Sequence, residues 1–250
     1  MRLARLLLLA GVLLAWRADA GEAPVVVVAA DRKPLAYAEG GQTTGLFVEL
    51  TREALRRAGR SVEFRLMPWP RGLSEIREGK ADAIVTMFRT PERETQFAFT
   101  AEPVLEQTEA LFVKKDDPLP FTGDFAALAG KRIGVVYQTS YGPRIDRAIK
   151  DGLFGKVETQ GTMVDLVKML VHGRIDLLPG DRGRVISSAG AAGLVGQIRE
   201  LQPAVDVTPS YLAFTRKRDL SSLGRAFDKA LREMKSDGTY AAILARYPYP

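Results

Sequence analysis

The stretch Ala81 to Arg93, ADAIVTMFRTPER, decides how the rest of this 250-residue sequence is interpreted. Its apolar part, Asp82 to Thr86, has the composition of a strand that is buried on both faces, as the strands of parallel sheets are. Two arginines, Arg89 and Arg93, follow it four residues apart. Because ligands of open parallel sheets bind beyond the carboxyl ends of the strands, the sequence predicts a ligand site at the segment MFRTPER.

The residues on both sides of this stretch alternate between strand and helix patterns. Before it, strands are predicted at 25–30 and 62–66, a helix at 47–58, and a short helix that ends near Gly79. After it, strands are predicted at 110–114, 132–136, 157–160, 175–178, 197–201 and 211–214, and helices at 140–150, 163–170, 220–234 and 240–244. This alternation predicts two α/β halves, with parallel strands and helices packed on the faces of the sheets.

The first 20 residues have the pattern of a secretory signal peptide. Arg2 and Arg5 form a basic start, the apolar run from Leu6 to Trp16 is too short to span a bilayer, and Ala18-Asp19-Ala20 is a cleavage signal. We therefore predict export and cleavage after Ala20. No later apolar run reaches membrane-spanning length, so no stable membrane insertion is expected, and the lack of cysteine excludes a lipid anchor on a mature N-terminal Cys.

Charge and composition exclude several classes of function. Residues 1–20 hold three arginines and one aspartate, so the 36 basic and 30 acidic residues become 33 and 29 in the mature chain, a net charge of about +4. The two signs are interspersed, and therefore no nucleic-acid binding is expected. The chain has no cysteine and one histidine, His172, at a predicted helix end. We therefore predict no catalytic residue, no metal site and no cofactor.

Several short segments together carry a resemblance to a known family. In chain order they are Gly45–Leu50 (GLFVEL), Glu78–Ile84 (EGKADAI), Thr90–Arg93 (TPER), Leu128–Val135 (LAGKRIGV), Gly173–Asp176 (GRID) with Asp181 five residues later, Leu212–Phe214 (LAF) and the terminal Arg246-Tyr247. In this order and spacing, nearly all of the mature chain resembles the bacterial extracellular solute-binding proteins of family 3, the polar amino-acid type of ABC-transporter receptor.

The resemblance implies an α/β fold of the two-lobed periplasmic binding protein type (type II). Each lobe is then a mainly parallel sheet flanked by helices, with residues 21–112 plus 210–250 in lobe 1 and residues 115–207 in lobe 2. Two crossover strands form the hinge, at 113–115 and 207–211. The implied function is periplasmic capture of a small carboxylate-bearing ligand between closing lobes, by a monomer that delivers the ligand to an ABC transporter permease.

The resemblance also implies ligand contacts from lobe 1. Arg93 matches the family arginine that pairs with the ligand's α-carboxylate, and a guanidinium suits that task because its planar fork matches a carboxylate. The alternative is a loop arginine paired with Glu92 or Glu94. Trp69 matches an aromatic residue that stacks on the ligand, although it could instead be a core residue. Asp31, after the first strand, is a weaker candidate.

In lobe 2, the resemblance implies that Asp181 receives the ligand's ammonium group. Asp181 could equally be a helix N-cap, and Arg182 and Arg184 follow closely enough to neutralise it. Thr139 and Ser140 occupy the family's strand-to-helix loop, where hydroxyl and backbone N–H groups bind carboxylates. The alternative for Ser140 is a plain N-cap.

One departure from the family pattern bears on the ligand. Five residues before the arginine, typical amino-acid binders carry Ser or Thr, whereas this chain has Phe88. Thr86 keeps a hydroxyl nearby, Arg89 adds a cation, and Tyr141 could reach the same cleft. We therefore expect a pocket that is more aromatic and more cationic than a standard amino-acid site. Its ligand would be a carboxylate: an amino acid, a modified or aromatic one, or an acid without an amine.

Two other functions are compatible with the same fold. A secreted dehydratase that acts on prephenate-like acids, similar to cyclohexadienyl dehydratase, also needs a carboxylate-gripping arginine and an acid, for which Asp181 and Glu102 are candidates. A sensory ligand-binding partner of a separate receptor is the third class. We expect binding rather than catalysis, because nothing in the sequence positions either acid as a general acid.

Overall fold

The computed structural model describes residues 22–247. The predicted signal peptide, residues 1–20, lies outside them. Across the described residues, no helix combines the length and the apolar character that crossing a bilayer requires.

The chain forms twelve strands and eight α-helices within the described residues. The elements up to the first long strand are β1 (Val25–Ala29), β2 (Tyr37–Glu39), β3 (Gln42–Thr44), α1 (Leu46–Arg57), β4 (Val62–Leu66), α2 (Trp69–Arg77), β5 (Ala83–Phe88), α3 (Pro91–Gln96), β6 (Phe97–Phe99) and β7 (Leu105–Lys114). The remaining elements are β8 (Arg132–Val136), α4 (Pro143–Lys150), β9 (Lys156–Gln160), α5 (Met163–Val171), β10 (Leu178–Asp181), α6 (Arg182–Ala191), β11 (Ile198–Glu200), β12 (Asp206–Thr215), α7 (Ser221–Ser236) and α8 (Thr239–Leu244).

The main sheet has the strand order β10-β7-β12-β5-β1-β4. β1 pairs in parallel with both β4 and β5, which confirms the parallel series predicted around Ala81–Arg93. β12 pairs antiparallel with β5 and with β7, and β7 continues into antiparallel pairs with β10 and β11. β8 and β9 form a separate parallel pair.

Within residues 22–247, three apolar cores fill the space between the sheets and helices. Successive residues of β1 divide between two of them, because Val27 packs with α1 and α7 whereas Val28 packs with α2. β1 is therefore buried on both faces, as its β-branched composition predicted. We call the elements around these two cores lobe 1, and those around the third core, which includes Ile133, Leu166 and Leu178, lobe 2.

Two long strands carry the chain between the lobes. On β7, Leu105 packs in a lobe 1 core, whereas Ala110–Val113 pack in the lobe 2 core. On and before β12, Val205 belongs to the lobe 2 core and Leu212 to a lobe 1 core. We therefore propose that the crossovers lie at 106–109 and 206–211. The second proposed crossover overlaps the predicted hinge at 207–211, the first lies before the predicted 113–115, and the hinge positions stay predictions.

Several element boundaries differ from the sequence predictions, and β7 and β12 each begin five residues before the strands predicted at 110–114 and 211–214. The strand predicted at 82–86 continues to Phe88, because Met87 and Phe88 pair with β12. The strand predicted at 175–178 is wrong: Leu177 makes a single bridge to Ile133, and the strand there is β10, which pairs antiparallel with β7. The helix predicted from Ser140 begins at Pro143, since residues 140–142 belong to the loop after β8.

Candidate ligand-binding cleft

A cleft of about 600 Å³ opens between the two lobes. It lies beyond the carboxyl ends of β1, β4 and β5, where the sheet topology predicts a ligand site. The lining includes all eight side chains that the sequence analysis proposed for ligand binding: Asp31, Trp69, Thr86, Phe88, Arg93, Thr139, Ser140 and Asp181. The structure thus brings these residues together, and their roles in binding stay predictions.

Arg93 is held at the mouth of the cleft by two carbonyl oxygens. It lies on α3, whose N-cap Thr90 accepts a hydrogen bond from the Arg93 backbone N–H. Nη1 of Arg93 donates to the carbonyl of Phe88 (3.0 Å), and Nη2 donates to the carbonyl of Gln138 in lobe 2 (3.3 Å). Of the two alternative partners, Glu94 lies 3.6 Å from Nε of Arg89, and Glu92 is near enough to act on the pKa of Arg93.

The guanidinium of Arg93 is partly withdrawn from water. Burial lowers its pKa from the ordinary value, although the nearby Asp146 and Glu92 oppose that shift. Arginine starts from so high a pKa that the group stays a cation at any working pH. A cation with little water around it is a strong attractant for a carboxylate, because the interaction is not screened by solvent.

Trp69 lines the cleft beside Arg93. It is the first residue of α2, one side of it packs on the core that contains Leu73, and its ring lies 5.7 Å from the guanidinium carbon of Arg93. Its Nε1 donates to the Gln138 carbonyl (2.9 Å). Gln138 has a φ of 55°, in the left-handed region that few residues other than glycine adopt. Its carbonyl therefore joins lobe 2 to two donors of lobe 1.

Asp181 combines a structural contact with a position in the cleft. It ends β10 and its Oδ1 accepts a hydrogen bond from the backbone N–H of Arg184 (2.9 Å), so it is the N-cap of α6. It is also 3% exposed and lines the cleft. Arg182 forms a two-bond ion pair with Glu200, whereas Arg184 lines the cleft.

The loop after β8 is fixed by its own hydrogen bonds. Ser140 is not the N-cap of α4, which is Gly142. The Ser140 hydroxyl donates to the Asp146 carboxylate (2.5 Å), which also accepts from the backbone N–H of Tyr141 (2.8 Å). The Tyr141 hydroxyl accepts from the Val136 N–H, and burial raises the pKa of Tyr141 to about 12. These bonds hold the cleft-facing Thr139 and Ser140 in place.

The remaining predicted residues differ in what they offer a ligand. The Thr86 hydroxyl donates to Oε1 of Gln107 (3.2 Å), so one of its hydrogen bonds is made within the protein. Phe88 is buried and adds an apolar wall, while its carbonyl oxygen accepts from Arg93. Asp31 lies exposed at the rim. Glu102, the second acid considered for catalysis, pairs with Arg232 and Lys235 and is not a lining residue.

Sequence reasoning missed several polar residues of the lining. They include Arg32, Gln107, Glu109 and Arg184, the last of which was considered only as a neighbour of Asp181. Gln107 and Glu109 are buried residues two apart on β7. Residues at that spacing share one face of a strand, and they were missed because the strand was predicted to begin at 110, whereas β7 begins at Leu105. Together the lining holds three arginines and three carboxyl groups, a balance suited to a zwitterionic ligand.

Comparisons with known proteins agree with this geometry. Residues 25–249 match the family model of the bacterial extracellular solute-binding proteins, family 3. The amino-acid-binding protein AabA of Dichelobacter nodosus is 28% identical over 223 residues, which cover 87% of this chain and 84% of AabA. The arginine-binding extracellular protein ArtP of Bacillus subtilis is 25% identical over 89% of this chain and 85% of ArtP. Both relatives are named as binding proteins.

The fold has a solved counterpart. An ancestral arginine-binding protein bound to arginine superimposes with a TM-score of 0.77, covering 91% of this chain and 99% of that chain at 24% identity. The two-lobed periplasmic binding protein fold is therefore confirmed.

Proposed function

Because this chain belongs to the bacterial extracellular solute-binding proteins of family 3, we propose that it captures a small carboxylate-bearing molecule between its lobes. The ligand is an amino acid or a related organic acid, taken up in the periplasm by a monomer and passed to an ABC transporter permease. The names of AabA and ArtP support an amino acid as the ligand.

The position of Arg93 carries this proposal. Its guanidinium lies at the carboxyl end of β5, is held by the Phe88 and Gln138 carbonyls, and has Trp69 beside it and the carboxyl groups of lobe 2 across the cleft. A planar cation at this point can grip a carboxylate with two parallel hydrogen bonds. The opposite end of the ligand then lies toward Asp181.

Contacts between the lobes support a closing mechanism. The Gln138 carbonyl accepts from Trp69 and Arg93 on one side of the cleft, and the Ser187 hydroxyl donates to the Lys33 carbonyl (2.7 Å) on the other. A ligand that touches both lobes favours the closed state by its differential affinity for it. Closure also strengthens the ligand's hydrogen bonds, because water no longer competes for them.

The requirement for a carboxylate can be tested with matched compounds. L-Phenylalanine, L-glutamine and L-arginine would be compared with their carboxamides in a thermal-shift assay, alongside native mass spectrometry of gently purified protein. We expect at least one free acid to raise the melting temperature and its amide to fail, because the amide offers Arg93 no negative charge. Equal shifts from an acid and its amide, or a co-purified ligand without an acidic group, would contradict the proposal.

The dehydratase alternative has its own measurement. Of its two candidate acids, Asp181 lines the cleft and already caps α6, while Glu102 lies in an ion-pair cluster with Arg232 and Lys235. We therefore expect purified protein to form no phenylpyruvate from prephenate above the uncatalysed rate. Phenylpyruvate formation that disappears in an Asp181→Asn variant would establish catalysis instead.

A further inference from the structure

Glu109 is a buried carboxyl group in the cleft. It lies on β7 at the proposed crossover, is 1% exposed, and lines the cavity. In the antiparallel pair of β7 and β10 it is directly opposite Asp181, so the two side chains lie on the same face of the sheet. The loop before α4 covers it closely: a side chain at Gly142 would meet Thr208 Oγ1 at 2.8 Å and Glu109 Cγ at 3.8 Å.

One oxygen of this carboxyl group is not used by the protein. Within residues 22–247, Oε2 of Glu109 has no hydrogen-bond partner. Leaving a buried polar atom unsatisfied is costly, and much more so if the group is charged. Two arrangements relieve that cost: the carboxyl group can hold a proton, or a donor that enters the cleft can bind to it.

The groups around Glu109 favour the protonated form while the cleft is empty. Burial is the main cause that raises its pKa well above the ordinary value, and the negative charge of Asp181 adds to it. Arg184 on α6 and Arg32 in the segment after β1 oppose this rise in the pKa without cancelling it. The charged and titratable groups that face Glu109 from the surrounding elements are Arg32, Asp146, Tyr141, Asp181, Arg184 and Asp206.

We propose that Glu109 is a second ligand-contacting carboxyl group, that it holds a proton in the empty cleft, and that a protonated amine of the ligand displaces this proton by docking between Glu109 and Asp181. The amine keeps all of its hydrogens and donates a hydrogen bond to Oε2 of Glu109, while the proton of Glu109 leaves for solvent. No covalent bond forms or breaks in the ligand. The inference rests on the proposed function and narrows the ligand to acids that also carry an amine.

This arrangement makes binding depend on pH in a defined direction. At a pH where Glu109 is protonated in the free protein and ionised in the complex, each ligand releases about one proton. The affinity for an amine then rises about tenfold for each unit of pH increase. An acid that lacks the amine leaves the proton in place, and its affinity does not change with pH in this way.

The test uses three pairs of compounds: L-phenylalanine with 3-phenylpropanoate, L-glutamine with 4-carbamoylbutanoate, and L-arginine with 5-guanidinopentanoate. Calorimetric titrations in two buffers of different ionisation enthalpy give the number of protons released at about pH 6, 7 and 8. We expect wild-type protein to release about one proton for a bound amino acid and none for its des-amino partner. Glu109→Gln should release none for either compound, while part of the amine preference survives through Asp181.

Glu106→Gln is the matched control, since Glu106 is exposed on the same strand. This variant should release protons as the wild type does. Equal binding of an acid and its amino acid without proton release would overturn this inference and leave the proposed function intact. Proton release that persists in Glu109→Gln would also overturn it. Absence of binding by all six compounds would overturn both proposals.

Stability of the ligand-free protein gives an independent measurement. A carboxyl group whose pKa is raised by folding binds its proton more tightly in the folded state, so stability is lost as pH rises from about 4 toward the folded pKa. Glu109→Gln removes this loss. We therefore expect its melting temperature to exceed that of the wild type at about pH 8, with a smaller difference near pH 4. No gain at pH 8 would show that Glu109 does not hold a proton.

Discussion

Arg89 and Arg93 are four residues apart and lie in two different regions of the molecule. Arg89 packs within lobe 1: its guanidinium carbon lies 4.4 Å from the Tyr211 ring centroid and 5.4 Å from that of Phe99, and Nη2 donates to the Thr100 carbonyl. Arg93 lines the cleft and reaches lobe 2. The comparison shows that charge and sequence position alone do not decide which arginine lies in the cleft, because the direction of the side chain also matters.

The geometry of β5 explains the difference. Because the strand continues to Phe88, successive residues alternate between its two faces. Phe88 lines the cleft and Arg89 does not. The chain then turns at Thr90 into α3, and the first turn of that helix brings Arg93 back to the cleft, where the Phe88 carbonyl holds it. A prediction that ended the strand at Thr86 could not assign these faces.

The largest expected effect separates the two arginines by ligand binding. Arg93→Ala removes the partner of the carboxylate, and truncating one member of a buried charged pair costs about 2–5 kcal/mol. We therefore expect the affinity for the most stabilising free acid of the thermal-shift panel to fall about 30-fold to several thousand-fold, measured by calorimetric titration.

Arg89→Ala is the control for that measurement, since it removes the same charge near the same strand. Its ligand affinity should stay within about threefold of the wild type, because rim and surface charges contribute little to binding. If both variants lose affinity equally, the cleft responds to net charge rather than to a specific grip. If neither variant loses affinity, Arg93 is not the group that binds the carboxylate of the ligand.

The second expected effect is on folding stability, where Arg89 rather than Arg93 is the residue that matters. Arg89→Ala removes a hydrogen bond to the Thr100 carbonyl and the cation–π contact with Tyr211, together worth about 1–2 kcal/mol. We expect its melting temperature to fall by about 2–8 °C in a ligand-free calorimetric scan. Arg89→Lys should recover part of this loss, because a lysine keeps the cation but not the planar fork. An unchanged melting temperature would show that these contacts add no stability.

The sequence predicted the parts of the fold that local patterns determine. The strands of lobe 1 follow from β-branched runs, and the position of Arg93 follows from a family motif. β10 was missed because its sequence, Leu-Pro-Gly-Asp, contains two residues that disfavour strands. It is a strand because β7 pairs with it, and such pairing between distant segments leaves no local pattern.

The same reason explains which site residues were found. Trp69, Arg93 and Asp181 stand at strand or helix ends, which a sequence pattern locates. Glu109 lies inside β7, and its importance depends on its being buried at the crossover, opposite Asp181 and under the loop before α4. Those three conditions arise from tertiary packing. In the sequence, Glu109 ends the polar stretch Glu106–Glu109, directly before the strand predicted at 110–114, so no local pattern marked it.

The smallest expected effect tests the contact between the lobes that Arg93 shares with Trp69. Trp69→Phe keeps an aromatic wall but removes the hydrogen bond from Nε1 to the Gln138 carbonyl, a net loss of about 1 kcal/mol. Ligand affinity should fall about fivefold, mainly through faster dissociation from a less tightly closed cleft. Ser187→Ala removes the Lys33 contact on the other side of the cleft and should have a similar effect. If Trp69→Phe weakens binding without faster dissociation while Ser187→Ala leaves it unchanged, Trp69 acts through its contact with the ligand and not through closure.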